Sequence, residues 1–449
     1  MRHILRYSAI ILMTFLAIES MAQINSWRDI YEVKKKDTIF GISRMYDLTV
    51  EELMAANPEM KDPDYKLKKG TKIFIPKKTV VKETMPVVDN TLKTKPGQTI
   101  RVGVMLPLHD KDGDGKRMVE YYRGLLMACD SLRSAGISTD VHAWNVNIDA
   151  DIRVTLLDDA AKNLDIIFGP LYTKQVKDVA DFCHKNSIKL VIPFSISATD
   201  VKTNPDVFQV YENGIQLNDR AIGAFMGRFK DCNAVFIDCN DTTSHKGIFT
   251  FGLRKQLEAQ GITYQITNLN SSLTQFAKAF SATKKNVVIL NTGRSPELNL
   301  AFRKLNELTQ AAPSVNISMF GYTEWLSYEP TYRELYHKYD VYVPSTYYYY
   351  KGLTRIASIE QNYKKWFGKD MQSQYIPRFA ITGYDHGQFF IRGLYEKGSA
   401  FEGKSGESSY RTIQNLLQFV RAADGGGMQN NGFQLVHYNT NKVIETLGY

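Results

Sequence analysis

The feature that most constrains this chain is a regular alternation beginning at Ile100. "IRVGVMLPL" is a continuous apolar run, and "RMVEYYRGLLMACDSLRSAG" follows it with helical spacing and a terminal glycine. "TDVHAWN", "LDIIFGP" and "IKLVIPF" then read as strands, with "DIRVTLLDDAAKN" and "KQVKDVADFCHKNS" as the helices between them. Strands apolar along their length and separated by helices specify a doubly wound, mostly parallel α/β sheet covered on both faces. A second set follows "VFQVYENG", with "NAVFID", "TYQITNL", "NVVILNTG" and "NISMFGY" as strands. Two such sheets in one chain imply two lobes with a cleft between them.

The chain ahead of this region obeys other rules. Arg2 and Arg6 precede the apolar run "YSAIILMTFLAI", and Ser20 and Ala22 are the small residues that a signal peptidase reads. Residues 1–22 are therefore expected to be a signal peptide, with the mature chain starting near Gln23. The apolar core, about a dozen residues, falls short of the ~20 that cross a bilayer, and no later segment is long and uncharged enough. The expected product is an exported, periplasmic protein without a transmembrane segment, and no cysteine follows the cleavage site to carry a lipid.

Four cysteines in 449 residues do not make a disulfide scaffold. Cys232 and Cys239 flank a strand and would lie ~20 Å apart, against under ~7 Å for a bond. Cys129 with Cys183 stays open, beside the plainer reading of four buried thiols. The formal charge of +9 is modest for this length, and many lysines fall between residues 34 and 95. That suits a polyanionic surface such as cell wall, or simple solubility; export argues against nucleic acid.

Within residues 31–78, "YEV" reads as a short strand, Asp37 or Thr38 caps a helix carrying Ile39, Ile42 and Met45, and Thr49 with Glu52 forms a capping box for a second helix. "KIFIP" closes the unit as a strand. The pattern of Tyr31, Val33, Asp37, Thr38, Ile42, Tyr46, Thr49, Leu53, Asn57, Leu67, Gly70, Ile73, Ile75 and Pro76 resembles the LysM module. Lys36, in place of the turn glycine, and Phe74 depart from that pattern. The resemblance implies binding of N-acetylglucosamine polymers, chiefly peptidoglycan, with Asp37, Thr38, Ile39 and Phe40 on one wall of a groove and Asn57, Pro58, Glu59 and Met60 on the other. Residues 79–98 read as a linker.

From about residue 100 to 423 the chain resembles the type I periplasmic binding proteins, the family of the branched-chain amino acid receptors, and the domain is expected to span 99–449. "VGVMLPLHD", "YYRGLLMACDSL", "FGPLYTKQVKDVADFCHKNSIKLVIPFSISATD" and "GYDHGQFFIRGLYEKG" carry the resemblance. It implies one lobe of about 99–212 and 346–423 and another of about 213–345 and 424–449. A related branch, the lipoprotein activators of penicillin-binding proteins, uses this fold without transport. In the receptor family, loops after the third and fourth strands hold an amino-acid ligand; by position these contain Thr173, Ser195, Ile196 and Ser197. The second lobe would add Asn291, Thr292, Gly293, Tyr322 and Glu324, the last meeting a ligand amine. For each hydroxyl a helix cap is the competing role.

Asp110, Asp112 and Asp114, followed by Gly115, mimic half of a calcium loop, but the position of the bidentate glutamate is Tyr121. A turn and helix entry is the stronger reading. Of Tyr347 to Tyr350, alternate side chains would face the cleft and a lobe core. No H-E-x-x-H, G-x-S-x-G, P-loop or C-x-x-C is present, and Cys183 and His184, adjacent on a helix, point about 100° apart. No catalysis, cofactor or metal is expected. Three readings follow: a wall-tethered protein closing on a small amino-acid-like or wall-derived ligand, a regulator docking on a cell-wall synthase with a vestigial cleft, and, trailing, a glycan hydrolase whose paired carboxylates are spatial rather than sequential.

Overall fold

A computed structural model describes residues 27–76 apart from 36, 47, 49 and 62–64, and residues 99–448 apart from 213 and 350–353. The segments expected as signal peptide and linker, Lys36, the expected Thr49 cap and Tyr350 lie outside the described residues. Two compact units divide at Glu83 and Thr84.

The small unit runs β1 (Trp27–Glu32), α1 (Ile39–Met45), α2 (Val50–Ala56), a 3-10 turn (Pro58–Lys61) and β2 (Lys72–Pro76). Its strands pair antiparallel with Tyr31 opposite Ile73. Tyr31, Val33, Ile42, Leu48, Leu53, Met60, Ile73 and Ile75 make its core. Met45, expected on the apolar face, is 61% exposed because the helix ends there.

The large unit opens with β3 (Ile100–Leu106), α3 (Gly113–Ser134), β4 (Thr139–Asn145), α4 (Ile152–Thr155), α5 (Asp159–Lys162), β5 (Ile166–Phe168), α6 (Thr173–Asn186), β6 (Lys189–Ile192) and β7 (Val207–Gln209). It continues with α7 (Gly214–Phe229), β8 (Asn233–Asp238), α8 (Gly247–Ala259), β9 (Tyr264–Asn268), α9 (Leu273–Ala277), β10 (Asn286–Leu290), α10 (Ser295–Ala311), β11 (Ile317–Phe320), α11 (Trp325–Lys338) and β12 (Val341–Ser345). The chain ends with α12 (Thr354–Phe367), α13 (Phe379–Lys397), β13 (Phe419–Arg421), β14 (Met428–Asn430), β15 (Gln434–Tyr438) and β16 (Ile444–Gly448).

These strands form two separate seven-stranded sheets, ordered β13-β14-β7-β6-β5-β3-β4 and β16-β15-β12-β11-β10-β8-β9. Pairing is parallel at the centre of each, and antiparallel only at β13–β14 and among β12, β15 and β16. The apolar strands β5, β10 and β11 are buried along their whole length, as expected where helices cover both faces. β4, at a sheet edge, alternates instead between half-buried and exposed residues.

Two local expectations change. The helix foreseen over 151–163 is broken into α4 and α5, because Asp158 starts a new helix: its Oδ1 accepts the Ala160 N–H at 2.9 Å while its Oδ2 accepts the Trp144 indole N–H at 3.0 Å. The last crossing between lobes lies between Asn430 and Gln434 rather than at 423–424, since β14 pairs with β7 in the first sheet. All four cysteines are free. Burial pushes the Cys129 thiol up to about 11 and the Cys239 thiol to about 12, so neither is a thiolate at neutral pH.

Candidate functional site

In the small unit, the residues expected to grip a glycan divide by what they touch. Asp37 Oδ2 accepts the Tyr31 hydroxyl and the Lys34 N–H, each at 2.7 Å, and these bonds hold its carboxyl below the usual range, the Lys34 N–H most of all. Thr38 Oγ1 accepts the Gly41 N–H at 2.9 Å and so caps α1. Ile39 packs half-buried against the core. Asn57 is fully buried: its amide donates to Leu53 O and Phe74 O at 2.8 Å and its carbonyl accepts the Phe74 N–H at 2.7 Å, tying α2 to β2. Met60 is core. Asn57 and Met60 therefore hold the module rather than face a ligand. Glu59 is exposed, and the side chains of Phe40 and Pro58 lie outside the described set.

In the large unit, β7, β12 and β14 each leave their sheet at the carboxyl end and continue into the other lobe. The carboxyl edges of the two sheets thus lie at the connections, which is where open α/β sheets bind ligands. On the first lobe, Thr173 opens α6, whose N-cap Tyr172 provides no side-chain bond to the helix N–H groups. Thr173 Oγ1 and Ser195 Oγ are 2.8 Å apart. Two hydroxyls sharing one bond keep one hydrogen to give. Ser195 is buried and its carbonyl accepts the Gln209 amide, whereas Ile196 and Ser197 are exposed.

Sequence reasoning missed the aromatic group beside this pair. Phe194 stacks on Tyr211 with centroids 6.1 Å apart and packs against Phe379 and Tyr121 at 5.5 and 5.2 Å. The Arg117 guanidinium lies 5.5 Å over the Tyr375 ring. The Tyr211 hydroxyl is buried without a hydrogen-bond partner, and burial pushes its pKa far up. No spacing rule joins residues 121, 194, 211 and 379.

The second lobe presents a closed polar network. Asn291 donates to Asp238 Oδ1 at 2.8 Å and accepts the Cys239 N–H at 2.9 Å. The Thr292 hydroxyl donates to Asp241 Oδ2 at 2.7 Å, and hydrogen bonds from Thr243 and Thr292 hold the Asp241 carboxyl down at about 2. Tyr322 is buried and its hydroxyl donates to Leu290 O. Glu324 is exposed but paired with Lys246, whose ammonium also sits 4.8 Å over the Tyr322 ring. Asn291, Thr292 and Tyr322 thus brace the lobe, and Glu324 has a cation already. Lys246, Asp241 and Arg294, at the core of this network, were not foreseen.

The aspartate run has structural roles. Asp112 Oδ1 accepts the Gly115 N–H at 2.8 Å to cap α3, a turn earlier than the expected start, and Asp114 pairs with Arg117 and accepts the Tyr172 hydroxyl at 3.3 Å. Tyr347 and Tyr348 pack on the second-lobe core, while Tyr349 donates to Glu360 at 2.8 Å under the Arg378 guanidinium. No helix among the described residues is long and apolar enough to cross a membrane.

Residues 31–76 match the LysM domain family. No curated protein matches the chain. Among solved structures, a protein described as a branched-chain amino acid ABC transporter from Rhodospirillum rubrum superposes with a TM-score of 0.52 at 13% identity, over 78% of this chain and 100% of that one. A branched-chain amino acid ABC transporter periplasmic ligand-binding protein from Burkholderia xenovorans gives 0.47 at 12% identity, over 78% and 94%. Residues 31–76 are a LysM domain, and the large unit that follows has the two-lobed type I periplasmic-binding-protein fold.

Proposed function

We propose that this chain is a non-catalytic, exported, cell-wall-associated binding protein. Its LysM domain grips N-acetylglucosamine-containing peptidoglycan, and its two lobes close on a small amino-acid-like or wall-derived ligand. The observation that supports the ligand reading is the start of α6, a 14-residue helix lacking a side-chain cap beside the Thr173–Ser195 hydroxyl pair. Helix-start N–H groups without a side-chain cap and a spare hydroxyl suit a carboxylate. Lys246, the cation nearest Glu324, would then release that carboxylate to a ligand amine as the lobes close.

A second reading is supported by a different surface. Ile248 and Phe251, one turn apart on α8, are 66% and 59% exposed, which suits a protein partner such as a cell-wall synthase. One experiment separates the readings. The mature chain and a version lacking residues 23–98 are pulled down on purified sacculi, and each is titrated with leucine and with wall-derived amino acids by calorimetry. Retention of the full chain alone, with heat from both proteins, is expected. Equal retention removes the anchor, and silence in every titration transfers the body to the docking reading.

A further inference from the structure

The large unit holds a pocket away from the Thr173–Ser195 pair. It is an open cavity of about 670 Å³ on the hinge edge, lined by Tyr348, Arg355, Arg411, Thr412, Gln434 and Thr446 among others. Its walls come from both lobes: the 411–416 segment of the first, the start of α12, and strands β15 and β16 of the second. A volume of this size accommodates a small organic ligand.

The first-lobe wall is anchored from below. Buried Asp385 on α13 accepts the Tyr410 hydroxyl, the N–H groups of Ile413, Gln414 and Asn415, and the Asn415 amide, at 2.8 to 3.2 Å. The same segment adds to the crossing strand: the Tyr348 N–H donates to Gln414 O at 2.9 Å and the Leu416 N–H to Thr346 O at 3.0 Å. Arg355 is held in place, donating to Arg411 O at 3.0 Å with its guanidinium 5.5 Å over the Tyr410 ring. Arg355 and Arg411 both line the cavity, and none of its lining residues is acidic. Glu445, between Ile444 and Thr446 on the edge strand, accepts the Asn439 amide instead.

We propose that this hinge-edge pocket is a second binding site, for a small oxyanion carried on a polar body, recognised by Arg355 and Arg411. A carboxylate and a phosphate share that chemistry. Because the site is built from both lobes, its occupant favours one lobe–lobe angle over others. The proposal does not rest on the cleft reading, since Thr173 and Ser195 do not line this cavity.

The test is calorimetry on the chain from residue 23, with succinate and inorganic phosphate in separate arms and the neutral diamide succinamide as the control. One anion is expected to bind and succinamide to stay silent; the anion that binds identifies the oxyanion. Arg355→Gln with Arg411→Gln is expected to weaken binding at least about tenfold, the scale of one lost charge-assisted contact. Should that pair disturb the 411–416 segment, Thr446→Glu on the exposed edge strand places a carboxylate in the cavity and is expected to abolish binding by repulsion alone. Absence of heat from both anions, or binding that survives Thr446→Glu, overturns the proposal.

Discussion

Gly124 and Gly383 are the points at which α3 and α13 press backbone against backbone: a Cβ on Gly124 would stand 1.7 Å from Ala380 O, and one on Gly383 would stand 1.9 Å from Tyr121 O. Neither obstacle is a side chain that can swing away. Gly383→Ala is expected to force the helices apart and cost about 3 kcal/mol, the upper end for overpacking against an unyielding neighbour. Urea unfolding of the two proteins measures this, and a loss under about 1 kcal/mol would mean that the helices slide freely.

The five donors gathered on Asp385 make it the fastening of the 410–415 segment. Asp385→Asn keeps the shape but turns an NH2 group toward backbone N–H groups. A cost of about 2–4 kcal/mol is expected, from broken charge-assisted bonds and stranded donors. Hydrogen exchange at Ile413, Gln414 and Asn415 should rise well above that in the β-sheet interiors. Unchanged protection there would refute the fastening role.

Ligand affinity in the main cleft should depend on Thr173 more than stability does, because the residue is exposed. Thr173→Val removes one hydroxyl of the pair at near-constant volume. Binding of whichever amino acid titrates is expected to weaken about tenfold, near the worth of one hydrogen bond to a charged group, with the melting temperature almost unmoved. Equal affinities would place the ligand elsewhere.

Stability should fall on acidification for two groups that act in the same direction. Burial holds the His386 imidazole down at about 3, so below its ordinary value the unfolded chain takes a proton that the folded chain refuses. Asp340 is pushed up by burial, but bonds from His437, Lys285 and Ser318 outweigh that and hold its carboxyl below the usual range. Its stabilisation is present above the ordinary carboxylate pKa and is lost as pH falls from there through the lower folded value. From about pH 6 downward, His386 alone contributes a decline of about 1.4 kcal/mol per pH unit. Unfolding free energies at pH 7, 6 and 5 should show this decline, and His386→Phe should flatten it; an identical slope in both proteins would assign the effect to other groups.

Asn57 tests the small unit. Two of its three bonds replace a strand neighbour for Phe74 and the third holds Leu53 O on α2, so Asn57→Ala is expected to lose sacculus retention and exchange protection of β2 together. Glu59→Ala, at an exposed site, should keep the protection. β2 protection that survives Asn57→Ala would make Asn57 dispensable for the fold.

The sequence by itself determined the architecture. A strand covered on both faces must be apolar throughout and a packed helix must repeat near every 3.6 residues, so "NVVIL" and "KQVKDVADFCHKN" announce themselves locally. β14 did not: "MQN" is short and mostly polar, and it is a strand because its backbone pairs with β7, far away in sequence, Met428 beside Phe208 and Gln429 beside Gln209. Only the tertiary structure decided which polar side chains are already engaged, because a hydrogen bond is fixed by distance in space. That is why Thr292 and Tyr322 proved to be braces, and why Arg355, Arg411 and Thr446, separated along the chain, share one cavity.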